Sequence, residues 1–194
     1  MSWVESVERS ARTLWCAASI VSMVLCASAM ADAGKYPMAL TLDAHATTGV
    51  TTVDSVVTIH VDRLMEENRF KRVSDALRQG GYGNFMNALR PLPPVGKIEL
   101  AKRSVDVRYA REQPDGAGRR LVLAADRPLF FLGDSEKSRA GYELTLVELR
   151  FDADGNVTGR MAGAARVKPG PDGGVVLDDF AEAPVQLTGR PARP

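Results

Sequence analysis

The feature that most constrains this chain is an alternation of apolar and polar residues, repeated in short segments from residue 38 to residue 187 and punctuated by Gly, Pro, Asp and Asn. Met38, Leu40, Leu42, Ala44 and Ala46 fall on one side of the first segment, and Ala39, Thr41, Asp43, His45 and Thr47 on the other. Successive side chains point to opposite faces only in an extended chain, so the pattern predicts a strand with one buried face. After a turn around Gly49, Val57, Ile59 and Val61 alternate with Thr58, His60 and Asp62 in a second strand. Val105, Val107 and Tyr109 share a face in a later segment, as do Leu121, Leu123 and Ala125 in the next. Segments 142–151, 157–167, 175–180 and 185–187 follow, separated by turn signals such as Asp154-Gly155-Asn156. Turn signals spaced by roughly 8–12 residues predict a meandering antiparallel sheet.

One stretch has a different period. From about Leu64 to Gln79, Phe70, Val73 and Leu77 recur at helical spacing, with Glu66 and Glu67 at the start and Arg78 near the end. That is an amphipathic helix whose charges suit its dipole. Gly80-Gly81 predicts a stop, and a shorter helix follows from Asn84 to Arg90, ended by Pro91, Pro93 and Pro94. The expected fold class is therefore α+β and mainly antiparallel β. Eight to nine strands would form a barrel or a two-layer sandwich, with a helical hairpin inserted after the second strand. Closure removes exposed edges and favours the barrel.

Two strands depart from simple alternation. In 142–151, Leu144 and Leu146 lie opposite Val147, Leu149 and Phe151, so either both faces are covered or a bulge switches the face. In 157–167, Gly159, Ala162, Gly163, Ala164 and Ala165 leave little side-chain volume. A tight barrel turn, the helical hairpin or a ligand must come close there.

The N-terminus carries an address. Arg9 and Arg12 precede an uncharged apolar run from Leu14 to Cys26, followed by Ala27-Ser28-Ala29-Met30-Ala31. The run is too short to span a bilayer and has the length of a signal-peptide core, so residues 1–31 read as a signal peptide cleaved after Ala29 or Ala31. The expected organisation is signal peptide 1–31, a single β-rich domain 32–189 and a disordered tail 190–194. The expected location is periplasmic or extracellular, with no stable membrane span after cleavage. Both cysteines (Cys16, Cys26) fall within the signal, which excludes thiol catalysis, Cys-ligated zinc and iron–sulfur chemistry from residues 32–194. Lys+Arg 25 against Asp+Glu 24 gives a net charge of +1, which argues against a general nucleic-acid binder.

Catalytic motifs are missing: there is no G-x-S-x-G, H-E-x-x-H, P-loop or G-x-G-x-x-G. His45 and His60 fall about five residues out of register in the expected hairpin, too far apart for one metal ion. Asp152-Ala153-Asp154-Gly155-Asn156 lacks the glycine and glutamate positions of an EF-hand and reads as a hairpin turn. Asp172, Asp178, Asp179 and Glu182 form an acidic stretch without a nearby cation in sequence, read as a solvated edge. Asp126-Arg127-Pro128 closes an apolar strand at a proline break and would approach Tyr142 or Glu143 on the next strand. Arg127, Asp126 and Tyr142 are therefore the candidate ligand-binding residues, with Arg127 suited to a carboxylate or phosphate. A strand-end salt bridge explains the same residues and is the preferred reading. No catalytic residue, metal or cofactor is expected.

The order of motifs resembles a set of exported bacterial proteins of unknown function. The resemblance rests on Leu92-Pro93-Pro94-Val95-Gly96, Val107-Arg108-Tyr109-Ala110-Arg111, Ala125-Asp126-Arg127-Pro128 and Glu148-Leu149-Arg150-Phe151-Asp152, and covers roughly residues 50–190. It implies export and a single domain but no activity. Three functions stay open: a non-catalytic binding or interaction module of the cell envelope, acting on a small ligand or an envelope protein; a small hydrolase using Asp43, His45, His60 and Asp62; and a structural assembly subunit. The first is preferred.

Overall fold

The alternating segments are realised as antiparallel strands in a computed structural model, which describes residues 36–48, 51–129, 140–181 and 183–191. The expected signal peptide and most of the polar loop Gly133–Gly141 lie outside the described residues. The elements are β1 (Met38–Thr48), β2 (Thr51–Val61), α1 (Glu67–Leu89), β3 (Gly96–Leu100), β4 (Arg103–Asp115), β5 (Gly118–Ala125), β6 (Leu144–Phe151), β7 (Val157–Pro169), β8 (Val175–Phe180) and β9 (Val185–Pro191). Neighbours run in the order β6-β5-β4-β3-β2-β1-β9-β7, and β6 pairs with β7 to close the ring. The result is an eight-stranded antiparallel barrel with β8 as an extra strand. Arg190 and Pro191 belong to β9 and pair with Thr41 and Leu40.

An eight-stranded barrel is just wide enough for side chains to fill it. Leu40, Leu42, Val57, Ile59, Ile98, Leu121, Leu123, Val147, Leu149 and Leu187 do so as one inner cluster. Each such side chain contributes about 1.5–3 kcal/mol by leaving water. A second cluster lies on the outside of β4–β7, where Phe70, Val73, Leu77, Phe85, Met86 and Leu89 of α1 meet Tyr109, Val122, Ala124, Leu144, Leu146 and Ala165. Both faces of β6 are covered, Leu144 and Leu146 by the helix and Val147, Leu149 and Phe151 by the barrel interior. The register shift near Leu146 does not switch the face of β6. In β4 a shift between Val107 and Tyr109 does switch the face. Val107 points inward and Tyr109 outward beneath α1, which corrects the shared face that simple alternation assigned them.

The helix begins at Glu67 rather than Leu64, because the preceding backbone is tied to strands: Asp62 N–H donates to Val95 O and Met65 N–H to Ala110 O, both at 2.9 Å. Gly81 adopts φ 66° and ψ −162°, a conformation few other residues tolerate. It separates two helical segments at a kink within α1, where the sequence places a stop at Gly80-Gly81 and a second, shorter helix after it.

β7 belongs to two layers. Val157–Met161 pairs with β9 inside the barrel wall, whereas Ala165–Pro169 pairs with β8. The small residues of this strand are explained by what approaches them. A Cβ on Gly159 would lie 2.3 Å from Glu148 O of β6, and Ala162 and Ala165 sit in the cluster under α1. Strand and helix, not an empty space, account for the missing volume.

Candidate functional site

The three candidate residues from the sequence go to different places. Asp126 forms a half-buried ion pair with Arg108, with Oδ2 at 3.1 Å from Nε. The β4 register shift lies beside Arg108, whose Nη1 also donates to the carbonyl of Leu92. Arg127 is exposed, and its guanidinium makes no ion pair among the described residues. Its carbonyl accepts a hydrogen bond from Thr145 Oγ1 at 2.9 Å, and the same hydroxyl accepts from Leu129 N–H at 2.8 Å. Thr145 is fully buried, and its hydroxyl, together with the Leu129 N–H donated to Gly163 O at 3.1 Å, ties the break at Pro128 to the sheet. Tyr142 donates to Asp179, and its ring lies beside Arg166. An ion pair does close the strand end, but between Asp126 and Arg108 rather than at Arg127, where the sequence pattern predicts it.

The other polar residues singled out in the sequence are also placed. His45 Nδ1 lies 2.7 Å from Asp54 Oδ1 on the outer face of the β1–β2 hairpin. His60 pairs in register with Ala39, six positions along the hairpin from the His45–Asp54 pair and about 20 Å away. Asp43 lies opposite Val56, some 13 Å from His60 along the strand, so these groups do not converge. No group of three or more His, Cys, Asp or Glu among the described residues is arranged to hold a metal ion. Asp152 accepts from Asp154 N–H, Asn156 N–H and Asn156 Nδ2 at 2.8–2.9 Å. These bonds, with Asn156 foremost, hold its carboxyl below the usual range, and they make the segment a self-contained turn. The acidic stretch is not unpaired: Asp172 meets Arg120, Asp178 meets Lys168 and Asp179 meets Tyr142, while Glu182 lies outside the described residues.

The described surface does contain a cleft of about 570 Å³ that sequence reasoning missed. Its floor is two cross-strand rows on the outside of the barrel. Registers place Arg120, Arg150, Thr158 and Thr188 side by side across β5, β6, β7 and β9. The adjoining row carries Glu148, Arg160 and Gln186, continuing to His45 and Asp54. Val176 of β8 lines the rim. Three guanidinium groups thus face one concavity, each oriented by a carboxylate. Arg160 grips Glu148 through Nε and Nη2 at 2.7 and 2.6 Å. Arg120 Nη2 reaches Asp172 and Gln113, both at 2.8 Å, and Arg150 Nε lies 3.3 Å from Asp115. These pairs use one edge of each planar fork and leave further N–H donors of every arginine uncommitted. Such an arrangement binds carboxylate or phosphate oxygens bidentately.

No sequence signal marked these positions beyond their place on the polar faces of strands. Pairing of β5 with β6 and of β6 with β7 brings the three arginines together, and pairing of β9 with β7 adds Gln186 and Thr188. No protein-family model, curated protein or solved structure matches the chain. Among the described residues, no helix is long and apolar enough to cross a membrane.

Proposed function

We propose that this chain is a non-catalytic binding module of the bacterial cell envelope, exported by the signal in residues 1–31, and that it recognises an anionic ligand in the arginine cleft. The observation that carries the reading is the convergence of Arg120, Arg150 and Arg160 on one concavity of ligand size. The three are mounted on paired barrel strands, so their spacing is fixed before a ligand arrives, which lowers the ordering cost of binding. The inner cluster fills the barrel, so recognition falls to its outer wall.

The test is a titration of isotopically labelled protein with citrate and with inorganic phosphate. The amides of Thr158, Arg160, Gln186 and Thr188 should shift in a saturable way, and added chloride should weaken the effect. Arg150→Ala should reduce citrate affinity by about tenfold, the loss of one charge-assisted contact. Shifts scattered over the surface, or none at millimolar citrate, would refute the reading.

A further inference from the structure

Among the described residues, β8 is the strand that the closed barrel leaves with one edge unpaired. It hydrogen-bonds to β7 along Ala165–Pro169 and to no second strand. The same β7 segment is flanked by α1, with Val167 packed in the cluster beneath the helix. The outer layer therefore runs α1, then the second half of β7, then β8. Beyond β8 comes the arginine cleft, rimmed by Val176. A strand edge that pairs with no second strand among the described residues thus borders a floor of guanidinium groups.

We infer that the cleft takes an extended peptide, which adds to β8 as a further antiparallel strand and lays its acidic side chains on Arg120, Arg150 and Arg160. This rests on the anion-binding reading above and specifies its ligand class. Main-chain hydrogen bonds supply affinity in strand addition, and side chains reaching alternate pockets supply specificity. Here charge sets the direction as well. The start of β8 lies over Arg120, whereas its end carries Asp178 and Asp179, engaged with Lys168 and Tyr142 respectively. In an antiparallel addition the C-terminal part of the peptide faces Val175 and Val176, and the N-terminal part faces Asp179 and Phe180. The preferred ligand is therefore basic towards its N-terminus and acidic towards its C-terminus. Val176 and Phe180, the latter exposed at 42%, offer apolar contact to the residues that alternate with the charges at the two ends of the peptide.

The experiment compares fluorescently labelled peptides by anisotropy against the whole protein. The forward peptide is Lys-Val-Lys-Val-Glu-Val-Glu-Val, and the reversed peptide exchanges the Lys and Glu halves. A third carries the forward sequence with N-methyl groups on alternate amides, which keeps its side chains but blocks strand pairing. The forward peptide should bind at least about tenfold more tightly than either control, a difference on the scale of one charge-assisted bond. Arg150→Glu, at an exposed side chain whose replacement leaves the core intact, should weaken it by a similar factor. Hydrogen exchange at β8 amides should slow in the complex. Equal binding of the N-methylated peptide overturns strand addition, and equal binding of the reversed peptide overturns the assigned direction. If citrate binds the cleft and the forward peptide does not, this inference fails while the anion site stands; if neither binds, both fall.

Discussion

Truncating Phe70 to Ala tests whether α1 is part of the folded unit or an arm resting on it. Phe70 is 7% exposed and packs with Val73, Leu77 and Tyr109, its ring centroid 6.2 Å from that of Tyr109. Removing the ring forfeits its transfer energy and opens a cavity between helix and barrel, together about 3–5 kcal/mol. Part of that belongs to Arg111, whose guanidinium sits 4.1 Å over the ring and whose Nη1 donates to Glu67 at 2.7 Å. A cation over an aromatic face at such a partly desolvated site is worth about 0.5–2 kcal/mol. Phe70→Leu keeps most of the volume and should cost about 1–2 kcal/mol, chiefly this contact. A double-mutant cycle of Phe70→Leu with Arg111→Met should return a coupling of about 0.5–1 kcal/mol. The assay is urea unfolding followed by circular dichroism, since residues 32–194 contain no tryptophan. A loss below about 1 kcal/mol for Phe70→Ala would refute the reasoning and show that α1 undocks without consequence for the barrel.

Thr145→Val removes the hydroxyl that serves Leu129 N–H and the Arg127 carbonyl in a fully buried position, and should lower unfolding free energy by about 1–3 kcal/mol in the same assay. Asp126→Ala strips the half-buried Arg108 of its carboxylate and should cost about 1–3 kcal/mol, whereas Arg127→Ala should stay within about 0.5 kcal/mol; the reverse ranking would contradict the assigned pair. Burial holds the phenols of Tyr82 and Tyr109 well above their usual value of 10.0, so both stay protonated in the folded chain after the unfolded chain has ionised. Their contribution is complete below about pH 10 and is lost as pH rises beyond it. A Tyr82→Phe, Tyr109→Phe variant should therefore show a flatter fall of stability above that pH, and an unchanged slope would contradict the assignment.

Much of the fold was legible because local period and burial agree. Leu40, Leu42, Val57, Ile59, Leu121 and Leu123 alternate and all point into the barrel, and Phe70, Val73 and Leu77 keep helical spacing under α1. Illegible were the points where one residue changes the count. The shift beside Arg108 turns Tyr109 outward and gives Asp126 a partner on another strand, and neither event leaves a trace in composition. The cleft was illegible for a related reason. Arg120, Arg150 and Arg160 each sit at an ordinary exposed strand position. Arg120 meets Arg150 only through the β5–β6 register, between strands separated by residues 126–143, and Gln186 and Thr188 join through the non-local pairing of β7 with β9. Gly159 was the nearest hint, since a glycine within a strand flags close approach, but it reports the neighbouring backbone rather than the arginines beside it.

The position of β9 between β1 and β7 has a consequence in time. β9 is the last strand in chain order, yet the strand it completes on one side is the first, through Leu42 to Gly189 and Ala44 to Leu187. During synthesis, at roughly 5–20 residues per second, β1 waits on the order of ten seconds for its second neighbour to exist. Until then the wall has two open margins, and hairpins such as β1–β2 and β4–β5 can form while the ring cannot. A nascent chain stopped before Val185 is therefore an incomplete cylinder with sticky borders on both β1 and β7. The whole domain has to be present before the barrel can commit to closing.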